Sequence, residues 1–386
     1  MSIHASVPIQ LFPSRHGKKT QEEIAAIAPI LGKDSFSDEE IVHLLALTSP
    51  GAVEALRQAA YDLTTREVGN KVFYRGIVEL SNVCVLDCLY CGIRKSNRDI
   101  ERYSLTKEEV VEAALWCGEA GYGSCVLQSG ERRDARFVDF VEDCVREIKQ
   151  QSISPTLPQG LGITLSLGEQ TLDTYRRWHA AGASRYLLRI ETTNCELFST
   201  IHPVKQSIET RLQALDDLKT AGFQVGTGVM IGLPGQTLAD LAADIRFFQG
   251  RDIDMIGMGP YLISQGGAMS AAGMMEKHRL MQLALKMIAV TRLVLRDVNI
   301  AATTALQALE HDGRERGISF GANVTMPNIT PRAVRKNYQL YDNKPCTDED
   351  TADCRSCLEK RVTSAGREVG WNEWGDSRHF GRRTGT

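Results

Sequence analysis

Eight repeats of a strand-like segment followed by a helix-like segment constrain the fold of this chain more than any other feature. Strands separated by helices pair in parallel through crossover connections. Eight such units between about residues 72 and 326 are the size of a closed (β/α)8 barrel. A doubly wound open sheet is the alternative, but such sheets need only five or six units. The expected strands are VFYRGIVELSN, SCVLQSGE, LGITLSL, RYLLRIE, QVGTGVMIG, DMIGMGPYL, NIAATTA and ISFGANVTM.

The fold class expected is therefore α/β: a complete (β/α)8 TIM barrel with an N-terminal helical extension and an irregular C-terminal segment. Residues 1–35 are predicted to be a loose tail, with a targeting peptide as the alternative because the first twenty residues contain basic side chains and no acid. Residues 36–70 read as helices, the first capped by Asp38. The barrel should span residues 71–326, and residues 327–386 should form the irregular segment.

Charge and hydrophobicity exclude several classes of function. Lysine and arginine total 45 against 48 acidic residues, a net charge of −3, which argues against nucleic-acid binding as the main activity. The sequence has no apolar run long enough to span a bilayer and no signal-peptide pattern. A cytoplasmic protein without a membrane partner is therefore expected.

Ten cysteines are many for such a chain, and their distribution is informative. Six of them lie in two triplets, and an odd number in each triplet fits disulfide pairing poorly but fits three-point ligation of a cluster or metal. The first triplet is Cys84, Cys88 and Cys91, and the second is Cys346, Cys354 and Cys357. The scattered cysteines, which read as small buried apolar residues, are Cys117, Cys125, Cys144 and Cys195.

The first triplet, in CVLDCLYC, has the spacing of a catalytic cluster loop. A loop this tight can bring three thiolates to one face of a cubane and leave the fourth iron without a protein ligand. Catalytic metal sites need such an open position, and the loop follows the first strand, at the barrel end where active sites are built. The alternatives are a zinc loop or unrelated thiols, but zinc usually takes four protein ligands and no fourth is nearby.

With Tyr90 just before the last cysteine, CVLDCLYC resembles the radical S-adenosylmethionine (SAM) enzymes. The resemblance implies a 4Fe-4S cluster whose open iron binds SAM, which is cleaved on one-electron reduction. Across about residues 36–370 the chain also resembles the HydE maturases of the iron-only (FeFe) hydrogenases, whose relatives include biotin synthase and methylornithine synthase. The segments that carry this likeness are NVCVLDCLYCGIRKSN, VLQSGE, LLRIETTN, GVMIGLPGQT, IAATTA, GANVTMPN and YQLYDNKPC.

The resemblance also implies two sets of site residues. The expected SAM contacts are Tyr90, Gln128, Ser129, Glu191, Arg211 and Met255. The expected substrate contacts are Thr164, Arg189, Thr303, Thr304, Tyr338 and Tyr341. The residues alone support several of these, because Gln128 and Glu191 end strands and should lie on the barrel rim. Arg189 lies within an otherwise apolar strand, so it should point into a polar cavity and need an anionic partner. Taken singly, Met255 is more often a core residue, and the two tyrosines could equally be packing.

The second triplet lies beyond the barrel in an acidic stretch expected to be a loop. Some HydE members carry three cysteines at this spacing, which implies an accessory 2Fe-2S or 4Fe-4S cluster here. A partly occupied zinc site or free thiols are the alternatives.

The resemblance implies a radical SAM maturase that acts on an iron–cysteine complex bearing carbon monoxide and cyanide during assembly of the FeFe hydrogenase active-site cluster. The implied partners are this small organometallic substrate, an electron donor such as reduced ferredoxin or flavodoxin, and other maturases. A methylornithine-synthase-like mutase and a non-catalytic iron–sulfur scaffold are the alternatives. A biotin-synthase-like reading is disfavoured because only Cys195 follows a middle strand.

Overall fold

The computed structural model describes the backbone of residues 15–347 and 351–385, and the side chains of residues 21–347 and 358–385. In chain order the strands are β1 (Lys71–Ser81), β2 (Ser124–Ser129), β3 (Gly162–Ser166), β4 (Arg185–Leu187), β5 (Gln224–Thr227), β6 (Met230–Ile231), β7 (Met255–Ile256), β8 (Gly259–Pro260), β9 (Asn299–Ala302), β10 (Val324–Thr325) and β11 (Glu368–Val369). The helices are α1 (Arg15–Leu31), α2 (Asp38–Ala46), α3 (Pro50–Glu67), α4 (Lys107–Glu119), α5 (Ala135–Gln151), α6 (Leu172–Ala181), α7 (Cys195–Ile201), α8 (Ile208–Thr220), α9 (Leu238–Gly250), α10 (Lys277–Leu295), α11 (Thr304–Leu309), α12 (Gly313–Ser319), α13 (Arg332–Arg335), α14 (Thr351–Ser364) and α15 (Arg378–Thr384).

The predicted eight-stranded parallel barrel is confirmed. Its strands follow the order β1-β2-β3-β4-β5-β7-β9-β10, and β10 pairs back onto β1 through Phe73 opposite Val324. Every pairing in this ring is parallel, because a helix returns the chain to the starting end after each strand. The apolar faces of the helices pack on the outside of the ring. The carboxyl ends of all eight strands therefore meet at one opening, which we call the mouth; the opposite end is the floor.

Three expected strands are divided or displaced. The fifth is divided into β5 and β6 and the sixth into β7 and β8, and β6 pairs with β8 in a small two-stranded extension above the barrel. The eighth was expected from residue 318, but the apolar residues there complete α12 and β10 begins only at Val324. Gly317 of α12 packs closely against Leu306 and Ala302.

The N-terminal prediction needs correction. Residues 15–31 form α1, which packs on α3 and fully buries Ile27, so this part of residues 1–35 is not a loose tail. Residues 1–14, where the alternative of a targeting peptide also falls, lie outside the described residues. The cap of α2 is Ser37 rather than Asp38, because the Ser37 hydroxyl accepts from Glu40 N and the Glu40 carboxylate accepts from Ser37 N.

The C-terminal segment is more ordered than expected. It contains α14, and β11 pairs in parallel with the first residues of β1, Lys71 opposite Glu368. Beyond β11, Trp374 donates from Nε1 to Gly160 O over 2.7 Å, and Gly375 lies directly against the ring of Phe73. This part of the chain covers the floor of the barrel. Within the described residues, no helix is both long and apolar enough to cross a bilayer.

Candidate active site

The first cysteine triplet lies in the loop that leaves β1 at the mouth. The loop is tied to three separate parts of the chain by backbone hydrogen bonds: Val85 N to Glu131 O, Leu89 N to Ile201 O, and Gly92 N to Leu340 O, each 2.9 Å long. Bonds to three different elements fix a segment that has no regular structure of its own. The three cysteines are therefore held on a defined surface at the end of the first strand.

Two glycines allow this loop to pack as closely as it does. A Cβ atom on Gly130 would come within 2.7 Å of Cys84 Cβ, and one on Gly92 would come within 2.1 Å of Gln339 O. Both distances are shorter than van der Waals contact, so any side chain at either position would push the cysteine loop away. Gly92 in particular lets the loop lie against the C-terminal segment.

The three thiols are half-buried and electrostatically coupled. Burial raises the pKa of Cys84, and burial together with the neighbouring thiols Cys91 and Cys84 raises the pKa of Cys88. Burial and Cys84 raise the pKa of Cys91 to about 12. A bound cationic centre would favour all three as thiolates. Three thiols on one loop fit the donor chemistry of an iron–sulfur cluster held at three irons. Among the described residues, no group of three such side chains is placed to hold a single metal ion.

Arg211, an expected SAM contact, is 6% exposed and is held by acids at the mouth. Its Nε donates to Glu169 Oε1 over 2.7 Å, and a further nitrogen donates to Arg189 O. Glu169 in turn donates its backbone N–H to Glu131 Oε2 over 2.9 Å. Sequence reasoning missed Glu169, although it closely follows the third strand, as Glu131 follows the second.

Tyr90 is hydrogen-bonded to a histidine that sequence reasoning also missed. The Tyr90 hydroxyl lies 3.4 Å from His202 Nε2, and the His202 ring stacks on Phe198 with centroids 4.0 Å apart. Burial and the nearby positive charge of Arg211 lower the pKa of His202 to about 3. His202 is therefore neutral at physiological pH and holds the tyrosine beside the cysteine loop. No strand end precedes His202, so no positional rule pointed to it.

Glu191 lies at the mouth in a strained backbone conformation. Its φ is 67°, in the left-handed region that a non-glycine residue rarely adopts. The strain is held by two backbone bonds, Glu191 N to Gly228 O and Met230 N to Glu191 O. Its Oε2 lies 2.9 Å from a terminal nitrogen of Arg189, and burial raises the pKa of the carboxyl, opposed by Arg189 and Arg211. The structure thus pairs an expected SAM contact with an expected substrate contact.

The C-terminal segment supplies the opposite wall of the mouth. Tyr338 is 1% exposed, and its hydroxyl accepts from Gln128 Nε2 over 3.2 Å. Lys344 lies over the Tyr338 ring, donates to Tyr338 O over 2.9 Å and forms a buried ion pair with Glu79 of β1. Burial raises the pKa of Tyr338 well above its usual range. The wall is thus attached to the first strand by a buried charge pair.

Tyr341, Thr303 and Thr304 lie together on the far side of the mouth. Burial raises the pKa of Tyr341, while the positive charges of Arg314 and Arg189 oppose the increase. Thr304 accepts from Arg314 over 2.9 Å, and the buried Thr303 hydroxyl has no hydrogen-bond partner among the described residues. Arg314 was not predicted from the sequence.

Two expected contacts do not lie with the others. Met255 is the first residue of β7, deep in the barrel, where its sulfur lies 3.0 Å from a nitrogen of Arg75. Thr164 is in the middle of β3, and its hydroxyl accepts from Arg185 Nε over 3.0 Å. Both line an internal cavity of about 30 Å³ between mouth and floor. Neither residue ends its strand, and this position explains why they lie below the rim. Ser129, in contrast, ends β2 and donates to Gly130 O.

The second triplet is only partly described. Cys346 is buried, with a φ of 63°, at the end of the segment that forms the wall of the mouth. Cys354 and Cys357 lie in α14, one helical turn apart, rather than in the expected loop. Their side chains are outside the described residues. The sequence predicts a loop here because CRSCLEKRV has too few apolar residues for a helical period to be read from them.

Comparisons with known proteins agree with this geometry. Residues 78–248 match the family model described as Radical SAM superfamily. The chain is 41% identical over 346 residues to the [FeFe] hydrogenase maturase subunit HydE of Thermotoga maritima, covering 89% of this chain and 95% of that protein. It is 28% identical to 3-methylornithine synthase of Methanosarcina barkeri, over 80% and 83% of the two chains. The crystal structure of methylornithine synthase (PylB) superposes with a TM-score of 0.73 at 26% identity, covering 92% of this chain and 97% of that one.

Proposed function

The chain belongs to the radical SAM superfamily and, within it, to the family of the [FeFe] hydrogenase maturase HydE, and from this premise we propose that it is a HydE-type maturase. Its substrate would be an iron–cysteine complex bearing carbon monoxide and cyanide, a precursor of the hydrogenase active-site cluster. The single observation that carries the proposal is the loop after β1, whose three cysteines are fixed by backbone hydrogen bonds at a mouth lined by buried arginines and acids.

We assign the cluster to Cys84, Cys88 and Cys91. When bound, a 4Fe-4S cluster with one open iron and SAM supply reductive cleavage of SAM to a 5′-deoxyadenosyl radical. The cysteine loop's role is to hold three irons and leave the fourth accessible, and its attachment at Gly92 and Val85 keeps it in place. The apolar walls of the barrel exclude water from the reacting groups.

Five residues at the mouth are proposed SAM contacts: Tyr90, Gln128, Ser129, Glu191 and Arg211. Glu191 is suited to accept hydrogen bonds from ribose hydroxyls or the amino group, because its buried carboxylate is only partly neutralised by Arg189. Met255 remains a sixth proposed SAM contact, and it lies lower than the others, at the start of β7. His202 and Glu169 act as positioning residues that hold Tyr90 and Arg211.

The proposed substrate side comprises Arg189, Thr303, Thr304, Tyr338 and Tyr341. Arg189 keeps a buried Nε without a partner among the described residues, so an anionic substrate would complete its hydrogen bonds. Thr164 lies one layer lower and is engaged by Arg185, so it would contact only a substrate that reaches the internal cavity.

We also propose that Cys346, Cys354 and Cys357 hold an accessory iron–sulfur cluster. The i, i+3 spacing of the last two places them on one face of α14. Such a cluster would lie beyond Tyr341 and outside the barrel, so a structural or electron-relay role fits it better than a catalytic one. An electron donor such as reduced ferredoxin or flavodoxin, and the other hydrogenase maturases, are the proposed protein partners.

The test uses the anaerobically reconstituted holoprotein with SAM and dithionite. Addition of the iron–cysteine complex with carbon monoxide and cyanide should accelerate formation of 5′-deoxyadenosine and convert the complex, whereas lysine should do neither. Absence of 5′-deoxyadenosine under all conditions would refute the radical SAM activity. Turnover with lysine alone would replace the maturase with a methylornithine-synthase-like mutase, the function of the second relative.

A further inference from the structure

Arg314 is a buried guanidinium whose hydrogen bonds are left incomplete. It is the second residue of α12 and is 2% exposed. One terminal nitrogen donates to Thr304 Oγ1 over 2.9 Å. Its Nε and Nη1 are buried without a partner among the described residues, and it forms no ion pair with a described carboxylate. Guanidinium carries five N–H donors, so most of its hydrogen-bonding capacity is unused.

Among the described residues, Arg314 keeps two unpartnered nitrogens, whereas Arg75 and Arg367, which are also buried, keep one each and other buried arginines keep none. Arg185 is fully buried and donates from all three nitrogens, to Thr164, Ser124 and the pair of Trp374 O and Asp376. Arg292 is also fully buried and donates to three backbone carbonyls and an asparagine oxygen. Burying a charge without partners is costly, so an unsatisfied guanidinium at a mouth indicates a missing ligand.

The position of Arg314 places that ligand on the substrate side. Its bonded partner Thr304 and the unpartnered hydroxyl of Thr303 both follow β9 at the mouth. Burial raises the pKa of Tyr341, and the charges of Arg314 and Arg189 both oppose this increase, so both cations act on the same tyrosine. The carboxylates of the mouth are engaged elsewhere, because Glu191 pairs with Arg189 and Glu79 pairs with Lys344.

We propose that Arg314 is a specificity-determining residue that binds a carboxylate of the substrate at the β9 side of the barrel mouth. The proposal rests on the proposed function, in which the substrate contains cysteine. A guanidinium binds a carboxylate through two parallel N–H···O bonds, whereas cyanide offers one acceptor atom in a line. The two unpartnered nitrogens of Arg314 and the nearby Thr303 hydroxyl therefore suit the two oxygens of a carboxylate better than they suit cyanide.

The first measurement compares the affinities of the SAM-loaded holoprotein for L-cysteine and for cysteamine, which lacks the carboxylate. The wild type should bind L-cysteine roughly 10- to 100-fold more tightly, the range for hydrogen bonds to a charged group. Arg314→Met should abolish this difference, and Arg314→Lys should keep part of it because the charge remains. Arg316→Met is the matched control, since it removes the same charge from the same helix at a residue paired with Glu310 on the outer surface.

Equal binding of the two probes by the wild type, or an unchanged preference in Arg314→Met, would overturn the proposal. Folding is checked separately: the thermal midpoint of Arg314→Met should equal or exceed that of the wild type, because the variant removes an unpartnered buried charge. Steady-state kinetics with the iron–cysteine complex provide a second measurement. The KM of Arg314→Met for this complex should be roughly 10- to 100-fold higher than that of the wild type, while SAM cleavage without substrate should change little. If the wild type does not convert the complex, the proposed function fails; if it does and the variant keeps its KM, only the role of Arg314 fails.

Discussion

The two ends of the barrel are both covered by the C-terminal segment, yet they are bonded in different ways. At the floor, Arg185 reaches Asp376 and Trp374 O, and Gly375 O accepts from both Arg75 and Asn299. At the mouth, Arg314 and Arg189 keep buried nitrogens unpartnered among the described residues. Arg75 and Arg367 towards the floor also keep one unpartnered nitrogen each among the described residues. The unpartnered nitrogens at the mouth are the ones that lie with the proposed substrate contacts, at the end of the barrel where ligands bind.

Backbone strain occurs at both ends of the barrel. Glu191, at the mouth, holds a left-handed conformation that costs of order 1–3 kcal/mol, and the surrounding hydrogen bonds retain it. At the floor, Asp252 and Arg296 are also left-handed, whereas Gly375 takes such a conformation at little cost where a side chain would overlap Phe73. Because the proposed SAM and substrate contacts lie at the mouth, changes there should alter chemistry, and changes at the floor should alter stability.

The largest effect is expected at the cysteine loop of the mouth. Cys88→Ala removes one of the three cluster ligands and should reduce 5′-deoxyadenosine formation to background, with loss of cluster iron, because the two remaining thiols cannot hold the cluster. Iron content and product are measured after anaerobic reconstitution. Cys195→Ala is the matched control, since Cys195 is exposed on α7 and away from the triplet. Substantial activity in Cys88→Ala would remove the basis for assigning the cluster to this loop.

The next effect tests how the wall of the mouth is attached. Lys344→Met leaves Glu79 buried without its counter-charge and should lower the free energy of unfolding by about 3–5 kcal/mol. The double variant Glu79→Met with Lys344→Met should recover most of this loss, because both charges are then absent. Denaturant unfolding of the three proteins measures the difference. A Lys344→Met protein as stable as the wild type would show that the ion pair does not hold the wall.

The sequence revealed the barrel more completely than it revealed the mouth. Eight apolar strands can be read in order because burial on both faces of a parallel strand leaves a continuous apolar run. Strand ends could be located to within a few residues, and that sufficed for Gln128, Ser129 and Glu191 on the rim. Met255 and Thr164 were expected from the family resemblance alone, and they lie below the rim, since one begins its strand and the other lies mid-strand.

The residues that were missed share a physical reason. His202 and Arg314 reach the mouth from helices or loops distant from the strand ends, and their placement depends on packing between elements rather than on local pattern. The C-terminal helix α14 was missed because its sequence is largely polar, and helical period is read from apolar positions. Tertiary contacts with α3 also order α1, which the sequence analysis assigned to a loose tail.

A smaller effect is expected at the floor. Asp376→Asn removes the charge partner of Arg185 but keeps its bonds to Thr164, Ser124 and Trp374 O, so the free energy of unfolding should fall by only about 1–2 kcal/mol. KM for the substrate and the rate of SAM cleavage should not change. Urea unfolding and steady-state kinetics on the same preparation test both statements. Asp173→Asn, at the exposed start of helix α6, is the control. A changed KM in Asp376→Asn would mean that floor and mouth are coupled.

The smallest effect concerns the pH dependence of the floor. His379 of α15 lies 3.1 Å from Asp297 and 2.7 Å from Asp252. Hydrogen bonds to these carboxylates raise the pKa of His379 above the usual 6.5. Arg382 and Arg383 form ion pairs with the same two acids. A raised folded-state pKa stabilises the protein fully below the unfolded value, and the contribution is lost as pH rises through the folded value. Wild-type stability should therefore fall by about 1 kcal/mol above pH 6.5 relative to His379→Gln, which cannot be protonated. Urea midpoints of both proteins between pH 6 and 9 measure this difference, and parallel curves would show that the charge on His379 does not hold the floor closed.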